Sequence, residues 1–577
     1  MYRRNRQTAG LIISVLLLLA LLAACAAPAA QAPAAAAPAA TEAPAAAAPA
    51  ATEAPAAAAP AAAPAASALP ADAAEDQTIR YVSRNFGRLN PASEGGFGRP
   101  FTAHMWMPFF IRDAANNISP WLATGYKVSD DGLTYTISIN PDAVWSDGSP
   151  VVAQEAIDYW SWSISKKCDT CYANAQLEVI EGAKAVMDGE AEIIKGLTAI
   201  DEKTLQIKLK EQAPIFLHSL AHYNLGFVKM EDVDKDAFEA SAKTRVNGPF
   251  MVEEWDVDLQ KHSVVQNPNW WGEKKPYIQR IVSMPAPDEN ISLIMWQNDE
   301  VDIAHWLTNI REKVRAETPE AFVLIPYATN FYFPLWAPLE PMDDINVRRA
   351  LLHAVDWDAA VAAAWEGARN ERVMKTHLTP ELQCFKADNW PDWGYDPELA
   401  KKELAASKYG GAEGLPKIRI TVGGKSPNYL RMAEIMMEQW KNNLGITDVE
   451  LRAGSMNDAW GQEADLVNIR RQSWGATIPD SGAMIAALYK YYFKPDMLGL
   501  EDAELGAMAD ELSTLKRDDP EFCNKVQAAE ARLLGHHYFL PMIWDLYEYA
   551  TKPWIKNFDT NVDNNWTNLL DMYIVKH

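Results

Sequence analysis

The sequence predicts an α/β fold, and three observations carry that expectation. Leu133, Tyr135, Ile137 and Ile139 alternate with Thr134, Thr136 and Ser138, and Ile418, Ile420 and Val422 alternate in the same way. A period of two gives a strand one buried and one wet face. Ala153, Ala156, Ile157 and Trp160 fall at helical spacing, as do Val347, Ala350, Leu351 and Ala354, each set a core-facing stripe. Such strands and helices alternate along 577 residues, enough for two or more domains.

The N-terminus fixes the compartment. Arg3, Arg4 and Arg6 precede an apolar run, Leu11 to Leu22, that is short for a membrane span. Leu22-Ala23-Ala24-Cys25 follows, which looks like a bacterial lipobox with Cys25 as the lipidated first residue of the mature chain. The mature protein is therefore expected on the extracytoplasmic side of the cell membrane, anchored by lipid. Residues 26–76 are Ala/Pro-rich, and Thr41-Glu42-Ala43-Pro44 recurs as Thr52-Glu53-Ala54-Pro55. Recurrent proline breaks helix and favours extended polyproline II, so this segment reads as a tether.

The formal net charge is -24 and the isoelectric point about 4.9. Phosphate binding needs a basic surface, so nucleic acid is not expected as a partner. Four cysteines remain beyond Cys25. In an exported protein the CxxC of Cys168 and Cys171 is expected as a local disulfide. Cys384 and Cys523 either pair across the second half or stay buried. No ligand set for zinc stands near the CxxC, so no metal or other cofactor is expected.

Ser119 to Trp162 carries the most information. Asp130-Asp131-Gly132 is a hairpin turn in which Gly supplies the positive φ. Trp145-Ser146-Asp147-Gly148 is a second turn, after which Pro150 stiffens the approach to a helix. This ordered set, P-x-L-A, a D-G turn with Leu133-Thr134-Tyr135-Thr136, then W-S-D-G-S-P and a helix, resembles the extracytoplasmic solute-binding proteins of family 5. These are dipeptide-, oligopeptide- and nickel-binding components of ABC importers. Val152 stands where that family usually has a Ser or Thr cap, which predicts a softer helix start.

The resemblance continues along the chain. Leu89-Asn90-Pro91 matches a loop whose continuation implies ligand contact at Gly96 and Phe97, whereas Trp106, Phe109 and Phe110 are spaced as the core face of a helix. Gln266-Asn267-Pro268-Asn269-Trp270-Trp271 and Asp299-Glu300-Val301-Asp302-Ile303 match structural turns of the family. In the second, Asp299 replaces a Gly, and Asn298 is the candidate for the left-handed position. Tyr395-Asp396-Pro397 reads as a helix start, with Asp396 as cap and Pro397 first in the helix. Leu430 to Leu444 reads as an amphipathic helix stopped by Gly445.

The resemblance implies a two-lobed periplasmic-binding-protein-like fold (type II, cluster C), with an extra small domain and a ligand cleft between the lobes. Its expected parts are a lipoprotein signal peptide over 1–25, the tether over 26–76, and domain I from 77–112, 213–327 and 545–577. Domain II is expected over 113–212 and domain III over 328–544.

No GxSxG, HExxH, P-loop or dinucleotide fingerprint is present, so an enzyme is not expected. His536-His537 is a bare pair that reads as structural. The segment Arg470 to Asp480 resembles the family's cavity strand, G-W-x-x-D-x-x-D-P. Trp474 is retained and suits stacking on a ligand. Thr477 stands where peptide-binding members place the Asp that clamps an ammonium group, and Asp480 matches the second Asp. Thr is neutral and suits a hydroxyl better than a cation. Trp474, Thr477, Asp480, Phe97, Gly96 and Phe331, the last in the segment opening the second lobe, form the candidate ligand set. The family implies an oligopeptide as the first expectation, an oligosaccharide as the alternative, and a solute sensor or chaperone-like lipoprotein as the alternative of a different class. The expected partners are an ABC permease and its ATPase, with the binding protein itself a monomer.

Overall fold

The computed structural model describes residues 69–577, apart from 84–89, 93–101, 114–116, 169–170, 172, 234–240, 257–260, 306–310, 368–371, 424–426, 455–466, 476–477, 493–497, 500–501, 560–565 and 567–568. Among the described residues no helix is long and apolar enough to cross a membrane. The α/β expectation holds: strands alternate with helices throughout, and buried apolar side chains divide the body into two lobes.

An eight-stranded sheet joins the lobes, in the order Gln472–Gly475, Phe322–Pro334, Phe539–Thr551, Ile303–His305, Thr78–Ser83, Arg280–Pro285, Lys261–Gln266 and Phe250–Asp256. Two of its strands are 13 residues long, Phe322–Pro334 and Phe539–Thr551, and they pair antiparallel. Phe539–Thr551 pairs at its end, through Tyr549 to Thr551, with the first-lobe strand Ile303–His305, and the opposite end of the strand pair, Phe333 and Phe539, packs in the second-lobe core. The register between them shifts between Pro326 and Asn330. A bulge of this kind bends and twists a strand pair.

The first lobe's core draws on residues between Ile79 and Ile303 and again between Tyr549 and Ile574. The second lobe's core draws on residues between Ala328 and Trp544. A smaller cluster around Val82, Leu293, Trp296 and Ala550 covers the other face of the first-lobe sheet.

Within the first lobe a four-stranded antiparallel sheet runs in the order Ala123–Val128, Thr134–Ile139, Thr204–Lys208, Leu197–Asp201. Gly132 turns its first hairpin at φ 71°. Tyr135, Ile137 and Ile139 are buried, as their alternation requires. The helix Ala153–Ser163 starts at Val152 without a side-chain acceptor there. Glu155 makes up for it: one carboxylate oxygen accepts from the Val152 N–H and from Trp145 Nε1, each at 2.9 Å. That is half of a capping box, so the start is firmer than Val152 alone predicts.

Two expectations are corrected. Trp106, Phe109 and Phe110 are buried, but no helix carries them; they lie in a turn that runs into the strand Phe110–Arg112. The backbone here pairs with a distant loop: Met107 N–H donates to Asn247 Oδ1 at 2.8 Å, and Gly248 N–H to the Met105 carbonyl at 2.9 Å. A Cβ at Gly248 would sit 2.2 Å from the His104 carbonyl oxygen, so the approach needs glycine. Asp299, not Asn298, takes the left-handed position, at φ 60°, while Asn298 stays at φ -84°. The Asp299 carboxylate is held by Lys552, whose ammonium lies 4.4 Å from the Trp296 ring centroid.

In the second lobe, three parallel strands, Val449–Gly454, Ile418–Gly423 and Ile469–Arg470, form a small sheet. Asp396 caps the helix Pro397–Ala406 by accepting from Leu399 N–H at 2.9 Å. The helix Pro427–Leu444 stops at Gly445, φ 76°. His536 and His537 follow the helix Phe522–Gly535: His536 Nε2 contacts Asp502 at 2.8 Å, and His537 is buried. Cys168 is joined to Cys171, and Cys384 to Cys523.

Candidate functional site

A cavity of about 240 Å³ opens between the lobes. One wall is built by residues 176–219 of the first lobe and the other by residues 474–517 of the second. The first wall presents the short helix Phe216–Leu220, placed by the burial of Phe216 and Leu220 in the first-lobe core. The second presents the edge strand Gln472–Gly475 and the helix Ser481–Tyr492.

Trp474 lines this cavity, half-buried, from the edge strand. Its strand pairs with the crossing strand Phe322–Pro334, with Asn330 opposite Trp474 and Phe331 opposite Ser473. Opposed residues share a face and successive residues alternate. Phe331 therefore points away from the face that Trp474 uses. It is 8% exposed, packs with Tyr429, and is covered by the Arg471 guanidinium, whose Cζ lies 4.5 Å from the Phe331 ring centroid and 4.2 Å from that of Tyr429. The structure does not bring Phe331 into the cavity.

Asp480 lies just beneath the cavity. Both of its carboxylate oxygens accept from Arg517, at 2.6 and 2.8 Å, and one also accepts from the Ala483 N–H at 2.7 Å. Arg517 itself lines the cavity. Asp480 therefore fixes the start of the helix Ser481–Tyr492 and orients Arg517. Gly96, Phe97, Thr477 and the lipid-attachment residue Cys25 lie outside the described residues.

The remaining lining was not singled out from the sequence. Phe216 and Met484 are buried at the base, and Val179, Ile215 and Ile478 are half-buried around them. Lys210, Glu211, Glu178 and Lys490 stand exposed at the rim. No local pattern marks them, because the meeting of the two lobes, and no motif, brings them together. His218, on the helix of Phe216, is held below the usual imidazole range by burial and then by Arg112. Asp480 pulls it the other way and Arg517 reinforces the lowering, so charges of the second lobe are felt on the first. Among the described residues no group of His, Cys, Asp or Glu is placed to hold a metal ion. An apolar base with a charged rim can bind and orient a small solute.

Residues 117–494 match the family model described as bacterial extracellular solute-binding proteins, family 5, middle part. The chain is 24% identical over 531 residues to the periplasmic oligopeptide-binding protein of Escherichia coli (strain K12), covering 87% of this chain and 94% of that one. It is 25% identical over 532 residues to the periplasmic murein peptide-binding protein of the same organism, covering 88% and 94%. The solved structure of the Escherichia coli murein tripeptide binding protein superposes with a TM-score of 0.74 at 22% identity, covering 88% of this chain and 100% of the other. At that identity the superposition shows the shared two-lobed fold.

Proposed function

The chain belongs to the bacterial extracellular solute-binding proteins of family 5, and from that premise we propose that it is the substrate-binding component of an ABC importer that captures oligopeptides. The single observation that carries this reading is the cavity walled by Phe216 on one lobe and by Trp474 and Met484 on the other. A ligand that touches both walls favours the closed arrangement by its differential affinity for it. The curated relatives named above bind oligopeptides and murein peptides, which supports a peptide as the solute.

The reading includes a lipid anchor at Cys25, a tether over 26–76, and delivery to a membrane permease driven by an ATPase. It places domain I at 77–112, 213–327 and 545–577, domain II at 113–212 and domain III at 328–544. No reaction is assigned: the protein binds its solute and releases it unchanged. Mass spectrometry of ligand carried through purification tests the proposal, alongside thermal melting with peptide and oligosaccharide panels. A bound solute raises stability by mass action, about 2.7 kcal/mol at a hundredfold excess over Kd. Peptides in the purified protein and a peptide-dependent rise in Tm are expected. A response confined to oligosaccharides overturns the peptide assignment.

A further inference from the structure

The Cys168–Cys171 disulfide touches no ligand in the reading above, yet it adjoins one wall of the cavity. It follows the helix Ala153–Ser163: Cys168 N–H donates to the Ser165 carbonyl at 3.2 Å, and Ser165 Oγ to the Trp162 carbonyl at 2.7 Å. Just beyond Cys171, the Ala173 carbonyl accepts from the N–H groups of Gln176 and Leu177, each at 3.2 Å. That turn leads Gln176, Glu178 and Val179 to the cavity. The Val179 carbonyl accepts from Lys210 N–H at 2.9 Å, which ties the turn to a second lining stretch. Asn90 joins the same junction: Nδ2 donates to Cys171 Sγ at 4.0 Å, and Oδ1 accepts from the Tyr159 hydroxyl of the helix at 2.7 Å. The disulfide thus fastens the helix to the wall. Both of its cysteines are half-buried, whereas Cys384 of the other disulfide is 1% exposed. Disulfides within reach of solvent are the ones that exchange most readily.

We propose that Cys168–Cys171 is a thiol-exchange site whose redox state sets how tightly the cavity holds its ligand. A thiolate of a dithiol donor attacks one sulfur, forming a mixed disulfide, and the other cysteine leaves as a thiolate. The donor's second thiol then displaces the first cysteine. Two electrons and two protons pass to Cys168 and Cys171, and the donor departs as its own disulfide. The oxidised bond orders the turn over 173–179 before a ligand arrives. The dithiol form has to order it on binding, which weakens the complex. Closing so short a loop corresponds to about tenfold in an equilibrium constant, and that sets the expected loss of affinity. The fold itself persists, because Leu177 and Ile180 remain packed in the first-lobe core. The proposal rests on the peptide reading above for its ligand and adds a control by redox state.

The test treats the whole protein with increasing dithiothreitol, alkylates the freed thiols and maps them by mass spectrometry. Retention of a random tetrapeptide library and amide hydrogen exchange are followed at each step. Cys168 and Cys171 are expected to label before Cys384 and Cys523. At that point peptide retention should fall about tenfold, and the amides of Gln176 and Leu177 should exchange about tenfold faster. Reoxidation should restore both. Cys168→Ser/Cys171→Ser should show the lowered retention without reductant and no response to it. Labelling of Cys384 and Cys523 first overturns the proposal. So does labelling of Cys168 and Cys171 with retention and exchange unchanged, or a double variant that binds as tightly as the oxidised native protein. In each of these cases the oxidised protein still retains peptides and the peptide reading survives. Retention of no peptide by the oxidised protein overturns both.

Discussion

Arg517 grips Asp480 from two sides: Nε donates to one carboxylate oxygen at 2.6 Å and Nη2 to the other at 2.8 Å. The pair is largely buried, and Arg517 also donates to the carbonyls of Leu512 and Leu515. It thus ties the start of one helix, Ser481–Tyr492, to the end of another, Ala503–Thr514, under the cavity. Asp480→Ala removes the cap and strands a guanidinium, which should cost about 2–4 kcal/mol. Asp480→Asn keeps the acceptor for Ala483 and should recover about 1 kcal/mol of that. Urea denaturation midpoints of both variants check this. Unchanged midpoints would show that the pair contributes nothing to the second lobe.

The two disulfides should differ in weight. Cys384 and Cys523 are 139 residues apart, whereas Cys168 and Cys171 are separated by 3. On the loop-entropy model, closing the long loop is worth about 5 kcal/mol and the short one about 1.6 kcal/mol. Cys384→Ser/Cys523→Ser should therefore lower Tm well below that of Cys168→Ser/Cys171→Ser. Comparable melting temperatures for the two double variants would contradict the ranking.

Glu530 gives the second lobe a pH dependence of defined sign. It is fully buried, accepts from Leu378 N–H at 2.6 Å and Asn389 Nδ2 at 2.7 Å, and burial raises its pKa to about 7. The folded state then holds its proton where the unfolded state, near 4.5, has released it. Stability from this group is present below about pH 4.5 and is lost as pH rises through about 7, with a slope of up to about 1.4 kcal/mol per pH unit. His377 and His104, lowered by burial to about 3 and about 4, act in the opposite sense, losing stability as pH falls below 6.5. The contribution is therefore read as a difference. The unfolding free energy of Glu530→Gln minus that of the native protein should rise between pH 5 and pH 7.5. A flat difference would place the Glu530 pKa outside this window.

Much of the fold was legible because one residue's backbone preference decides a boundary. Gly132 and Gly445 need positive φ, and Asp396 with Pro397 fixes a helix start whatever surrounds it. The segment around Trp106 was not legible. Its spacing fits a helix, yet Pro108 supplies no N–H and the flanking groups find partners at Asn247 and Gly248, more than a hundred residues away. Tertiary pairing overrode local periodicity there. The site shows the same division. Trp474 stands in a recognisable motif and lines the cavity, but Phe216 on the opposite wall lies about 260 residues earlier, in a stretch with no motif. Phe331 was drawn into the candidate set by its neighbourhood in sequence. Strand alternation turns its ring to the other face.

Trp474 gives the sharpest separation between a binding residue and a packing one. Its ring is half-buried, touches the edge of the second-lobe core, and lines the cavity. A side chain that only fills a core loses stability on truncation, about 3–5 kcal/mol for Trp→Ala, with no selective effect on ligand. An aromatic at the centre of a binding cleft loses affinity instead, typically by about 2 kcal/mol or more. Trp474→Ala should therefore weaken binding of a retained peptide by about thirtyfold in titration calorimetry, while costing about 1 kcal/mol in unfolding free energy. Trp474→Phe, which keeps a flat ring on the same face of the strand, should restore most of the affinity. If Trp474→Ala binds peptide normally and melts far below the native protein, Trp474 is a core residue and the ligand lies elsewhere in the cleft.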